Sequence, residues 1–180
     1  STLTTWVWHH ITADENVRVG LLSFETHPHR TRDHLSRLTT GWAFDDLDAA
    51  GRKKLEADLD RRFRLVHRTF DDAVHTIGWL EKMVHTLATR DGCKLICIDP
   101  WNELEHLPEP GEIMTNYINF ALAQIRKWAE KLEVHICVIA HPKKMDMGRE
   151  ARAPMGYDIA DSAAFFNKPS LGFTVHGAKT

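Results

Sequence analysis

The sequence predicts an α/β fold, a mostly parallel central sheet flanked by helices. Three observations predict it. Apolar runs at residues 17–24 (VRVGLLSF), 94–98 (KLICI) and 134–140 (VHICVIA) lack the alternation of a strand with one wet face, so each suits a strand buried on both faces. Stretches with apolar residues at helical spacing lie between these runs. Each run is followed by a polar side chain, Glu25, Asp99 or His141, and parallel sheets present their chemistry at the carboxyl ends of their strands.

Length and charge set bounds. The 180 residues, 43% of them hydrophobic, suit one domain spanning 1–180 with a real core. A formal charge of -2 confines any nucleic-acid contact to a local patch. No apolar run approaches the length of a bilayer span and no signal-like segment opens the chain, so no membrane contact and a cytoplasmic setting are expected. Cys93, Cys97 and Cys137 show no metal-ligand spacing and read as small buried thiols of a reducing compartment. The twelve histidines are mostly scattered among polar residues, as surface or capping groups.

Taken in order, residues 1–11 carry Leu3, Trp6, Val7, His10 and Ile11 on one helical face. Residues 17–24 form the first strand, and Thr26-His27-Pro28 starts a helix, with threonine as cap and proline in its first turn, that runs to Thr40-Gly41. Residues 46–62 read as a charged helix on the surface with a sparse stripe of Leu47, Leu55 and Leu59, and 63–66 as a short strand. A long helix is expected from Thr69-Phe70-Asp71-Asp72 to Thr89, closed by Gly92 before the 94–98 strand. Residues 103–111 read as a loop. The helix expected at 112–133 has Ile113, Tyr117, Phe120, Ala121, Ile125, Trp128 and Leu132 as its stripe. After the 134–140 strand, residues 142–157 form a basic loop, 158–166 a short helix and 171–175 a last strand.

The strand tips carry the chemistry. Asp99 suits an oxygen ligand for a Mg²⁺ that bridges phosphates, although the same residues also suit an ordinary Asp-Pro turn. Glu25 could act as general base on an attacking water, and His141 could hydrogen-bond a terminal phosphate. Ser1-Thr2 reads either as the continuation of a phosphate-binding loop after its Gly-Lys or as an ordinary helix cap. Lys143, Lys144, Arg149 and Arg152 could follow a phosphate backbone, or be solvated charges.

The motifs SFETHPHR, CIDPWNELEH and VIAHPKKM, followed by YDIADSAAFFNKPSLGFTVH, resemble the RecA-like P-loop NTPase motor domain of DnaB- and Twinkle-type replicative DNA helicases, above all those of phages and mobile elements. The resemblance covers essentially the whole chain. It implies an ATP- and Mg²⁺-dependent helicase acting on single-stranded DNA, a homo-hexameric ring, a possible primase domain or partner, and the cytoplasm of a bacterial or phage-infected cell. It further implies that Glu25 polarises the attacking water, that Asp99 holds Mg²⁺ through water and that Asn102 sits beside it in the same motif. His141 matches the sensor of the terminal phosphate, and Ser1, with Thr2 next to it, matches the Mg²⁺-ligating hydroxyl. Lys143, Lys144, Arg149, Arg152 and Ser162 fall where the family faces DNA.

The match has departures. The Gly-Lys expected just before Ser1 is not in the sequence, Ser170 stands where an acidic residue is usual and Gly177 where an arginine is, and the arginine finger is expected beyond Thr180. The expectation is therefore a domain fragment truncated at both ends, which by itself hydrolyses ATP poorly or not at all. Without a preceding strand at the sheet's centre, 17–24 and 94–98 are expected to pair differently or to leave open edges. The alternatives are a catalytically inactive RecA-like domain, or another RecA-like ATPase such as a recombinase or regulator.

Overall fold

The computed structural model describes residues 2–14, 17–67, 75–142, 154–159 and 163–175. Strands β1 (Arg18–Ser23), β2 (Phe63–His67), β3 (Cys93–Asp99) and β4 (His135–Val138) form a parallel sheet in the order β2-β1-β3-β4. Around it lie α1 (Thr2–Asp14), α2 (Pro28–Thr40), α3 (Ala49–Arg62), α4 (Ile77–Thr89), α5 (Met114–Leu132) and the short α6 (Ala164–Asn167).

The unbroken apolar character of the strands has its cause in two cores. Leu22, Ile96 and Ile98 face one way and pack with Leu80 and Val84 of α4 and Ala121 and Ile125 of α5. Val19, Leu21 and Cys97 face the other way, against Trp8 of α1, Leu35 of α2 and Leu55 and Leu59 of α3. Successive side chains of a strand point to opposite faces, so a strand covered on both sides needs apolar residues throughout. The helix at 46–62, expected as a surface excursion, starts at Ala49, and its leucines close the second core. Burial wins there because two leucines four residues apart share one face of a helix that otherwise shows charge.

β1 and β3 pair directly from Val19 opposite Leu95 to Ser23 opposite Asp99, with one register shift at Arg18/Val19, and among the described residues the open edges of the sheet are β2 and β4. Close packing at the centre depends on Gly20, where a Cβ would come 2.9 Å from Leu87 of α4.

Side-chain caps fix the starts of three helices. His27, not Thr26, caps α2: its Nδ1 accepts a hydrogen bond from the His29 amide at 3.3 Å, Pro28 opens the helix, and Gly41 at φ 82° ends it. Asp48 caps α3 by accepting from the Gly51 amide at 2.7 Å. The described part of α4 begins at Ile77, with the Thr76 hydroxyl accepting from the Trp79 amide at 3.3 Å, whereas the expected entry at Thr69-Phe70-Asp71-Asp72 lies outside the described residues. Gly92 turns the chain into β3 at φ 68°, as expected.

Two expectations need correction. Phe120 and Ile113 are 55% and 67% exposed, and Ile118 and Leu122 are buried in their place. At 100° per residue Phe120 stands a quarter-turn from Ala121, at the margin of the buried arc. Residues 171–175 form no strand: among the described residues no ladder runs alongside, and Leu171, Phe173 and Val175 stay exposed.

Candidate functional site: one carboxyl edge of the sheet

Because the four strands are parallel, their carboxyl ends share one edge. Backbone hydrogen bonds carry the pairing past the strands and fix the segments beyond them. The Phe24 amide donates to the Asp99 carbonyl at 3.0 Å, so Glu25 starts beside Asp99. The Ile139 amide donates to the Ile98 carbonyl at 3.0 Å, and the Trp101 amide donates to the Ile139 carbonyl at 2.7 Å. These bonds draw the end of β4 onto the segment after Asp99. Asn102 then accepts from the His141 amide through Oδ1 at 2.8 Å, which sets where the histidine emerges.

Side-chain geometry depends on this framework. His141 Nε2 lies 3.5 Å from Glu25 Oε1, both half-exposed, while Asp99 on the strand between them is 5% exposed. Thus Glu25, Asp99, Asn102 and His141, drawn from three separated motifs, meet on one edge. Beneath them Trp101 is buried, stacked on His106 with ring centres 4.7 Å apart and edge-on to Phe165 at 5.6 Å, which anchors the turn after Asp99.

Sequence reasoning misses His67 at the tip of β2, because it ends that strand at Val66. The available signal is the same as that of the other tips, a polar residue closing an apolar strand. Burial, then the neighbouring His27, hold the His67 imidazole below its ordinary range, partly opposed by backbone groups of Ser23 and Thr26. Ser1, Lys143, Lys144, Arg149, Arg152 and Ser162 lie outside the described residues, and Thr2 is described only as the start of α1.

A family model described as an AAA domain matches residues 1–147. The chain belongs to the AAA domain family. This AAA domain is 33% identical over 105 residues to a Twinkle homolog protein, chloroplastic/mitochondrial, of Arabidopsis thaliana, covering 58% of the chain and 15% of that protein's length. Its fold is similar to a separately solved ATPase domain, with a TM-score of 0.65 at 16% identity over 93% of this chain and 63% of that one. It is also similar to a DnaB-like replicative helicase solved for its interactions with primase, with a TM-score of 0.63 at 17% identity over 93% of this chain and 42% of that one. The domain therefore has the RecA-like fold of DnaB-like helicase ATPase domains.

The edge suits a magnesium nucleotide in its donor chemistry. Among the described residues there is no cluster of three or more His, Cys, Asp and Glu side chains that could hold a metal alone. Mg²⁺ keeps several waters and takes one or two carboxylates plus phosphate oxygens, so the buried Asp99 and the oxygen-bearing side chains around it fit that role.

Proposed function

We propose that the chain is the motor domain of a replicative DNA helicase, coupling Mg-ATP hydrolysis to translocation on single-stranded DNA and duplex unwinding. The observation that carries this reading is the convergence of Glu25, Asp99 and His141 on the tips of the adjacent strands β1, β3 and β4, with Glu25 and His141 3.5 Å apart.

Each residue has a role its surroundings permit. Glu25 is open to solvent, so its carboxylate can accept a hydrogen bond from a water and draw off its proton. Asp99 is buried at the strand end and offers a fixed anionic oxygen to the cation's hydration shell, with Ser1 as the second ligand and Thr2 beside it. A bound Mg²⁺ would neutralise charge on the phosphates. His141 holds Glu25 in place before nucleotide arrives and is free to donate Nε2 to a terminal phosphate afterwards. Its neighbour Pro142 pairs with Ile159 in an isolated antiparallel bridge, a direct link from the site to the segment before Ser162. Through that link, and through Lys143, Lys144, Arg149 and Arg152, the state of the nucleotide would reach a single-stranded DNA backbone. The DnaB-like replicative helicase of similar fold was solved for its interactions with primase, which supports a primase partner here, and a homo-hexameric ring is part of the same proposal through the resemblance of the sequence motifs.

The test is binding of a fluorescent ATP analogue with and without Mg²⁺. Magnesium-dependent binding that Asp99→Ala abolishes is the expected result; a folded protein that binds no nucleotide would leave an interaction-only domain. Replacing Lys143 and Lys144 by glutamate should weaken single-stranded DNA binding, and unchanged affinity would remove the helicase reading in favour of another RecA-like ATPase.

A further inference from the structure

All three cysteines are free thiols, and two of them face each other. Cys97 of β3 and Cys137 of β4 are direct partners in the parallel ladder. Both side chains join the core face that carries Trp8 and Leu35. Neighbouring strands run about 4.8 Å apart, within the roughly 4.4–6.8 Å between Cα atoms that a disulfide accepts, so the ladder spacing is compatible with a bridge between this pair. Cys97 is fully buried, whereas Cys137 on the outer strand is partly exposed.

We infer that Cys97 and Cys137 form an oxidisable dithiol that reacts with a peroxide to staple β3 to β4 beneath the nucleotide edge. Cys137, the less buried of the two, attacks one peroxide oxygen. The O–O bond breaks, and the departing hydroxide leaves as water with the thiol proton, giving a sulfenic acid on Cys137. The Cys97 sulfur attacks that sulfur next: an S–S bond forms, the S–OH bond breaks, and a second water carries away the Cys97 proton. Two thiols lose two electrons and one peroxide becomes two waters. A hydrogen bond between the two sulfurs holds the Cys137 thiol below its usual range, which favours it as the attacking member. Cys93 opens β3 beside Asp91, is fully buried, and has its thiol pushed up to about 11 by burial, so it is the unreactive internal control.

The staple has a consequence for the site. Cys97 precedes Asp99 by two residues and Cys137 precedes His141 by four, so the bond would tie together the two strands that present them.

The experiment treats the whole chain with hydrogen peroxide, then alkylates free thiols and maps peptides without reduction. The expected result is a fall from three thiols to one, a Cys97–Cys137 linked peptide in a monomer, reversal by dithiothreitol, and a melting temperature raised by several degrees in the oxidised form. Cys137→Ser should keep both remaining thiols reduced. Retention of three thiols in the native protein, a link through Cys93, bonds between copies, or a lowered melting temperature of the linked form would each overturn the inference. The peptide map of the unaltered chain decides the matter even if the serine variant does not fold.

Discussion

Glu25 and Asp99 end neighbouring strands yet stand in opposite surroundings, one half-exposed beside His141 and one nearly enclosed. That contrast separates their expected phenotypes. Glu25→Gln keeps the shape and removes the base, so in a protein that carries a Gly-Lys ahead of Ser1, Mg-nucleotide binding should persist while ATP turnover falls on the order of 100-fold or more, measured as phosphate release beside a binding titration. Equal losses of binding and turnover would assign Glu25 to nucleotide affinity instead. Titration offers a second test at this scale. Burial, then the nearby Arg62, lowers the His9 imidazole, and burial, then His27, lowers that of His67, both from an ordinary 6.5. The folded state therefore favours neutral rings while the unfolded chain takes up protons from about pH 6.5 downward. Their contribution is fully present above about 6.5 and is lost as pH falls toward the folded values. Melting temperature should drop between about pH 7.5 and 5.5, and His9→Gln with His67→Gln should flatten that slope. Asp99 was legible because an acidic side chain after an unbroken apolar run is unusual. The tie from the Asn102 amide oxygen to the His141 backbone was not, because no spacing encodes a bond between residues 39 apart.

Elements here are held by a few side chains that cross from one to another. The guanidinium of Arg62, buried at the end of α3, donates to Thr12 Oγ1 at 2.9 and 3.0 Å and to the His9 carbonyl at 2.5 Å, both on α1, and to Asp58 at 2.9 Å within its own helix. Removing it takes the guanidinium away from the Thr12 hydroxyl and from the His9 carbonyl, which keeps the Thr12 hydroxyl as its side-chain donor, and leaves Asp58 paired with Arg61 alone. Arg62→Met should cost about 3 kcal/mol in urea unfolding, and a loss below about 0.5 kcal/mol would show that α1 docks by apolar contact alone. Gly20 tests the opposite face. Its absent Cβ makes room for Leu87, so Gly20→Ala should destabilise by about 1–3 kcal/mol, and Leu87→Ala in the same chain should recover part of that loss through a favourable coupling in a double-mutant cycle. Strands β1, β3 and β4 were readable from composition because both of their faces need apolar residues. The role of α3 was not, since its charged surface outweighs the two leucines that seat it. Caps misled for a related reason: Thr26 and His27 are adjacent, and only the turn geometry chooses which side chain reaches an amide two residues into the helix.

At the scale of the molecule, the order β2-β1-β3-β4 places two strands inside the sheet and two at its margins. Composition marks which segments are strands but not their order, since parallel neighbours are joined by helices whose length does not name the strand they return to. Order decides stability. β1 is bonded on both sides along its length and its residues from Val19 to Ser23 are buried; β3 is likewise paired on both flanks and buried toward its end. β4 has four residues, one described neighbour and no residue fully buried, and β2 is buried only at Phe63. The exposed 171–175 segment has neither ladder nor cover among the described residues. An amide opens for exchange either with its own local unit or with the whole fold, so protection should be graded by pairing and burial rather than by position along the chain. Amides of residues 19–23 and 95–98 should exchange only through global unfolding, those of β2 and β4 through smaller openings, and those of 171–175 within seconds. Bound Mg-nucleotide should slow exchange first at Glu25, Asn102 and His141 and then in β4, because the ligand would bridge tips that the sheet alone joins through single backbone bonds. Uniform protection across the four strands would mean that the sheet opens as one unit, and slowed exchange in β2 with none in β4 would place the nucleotide at the His67 end of the edge.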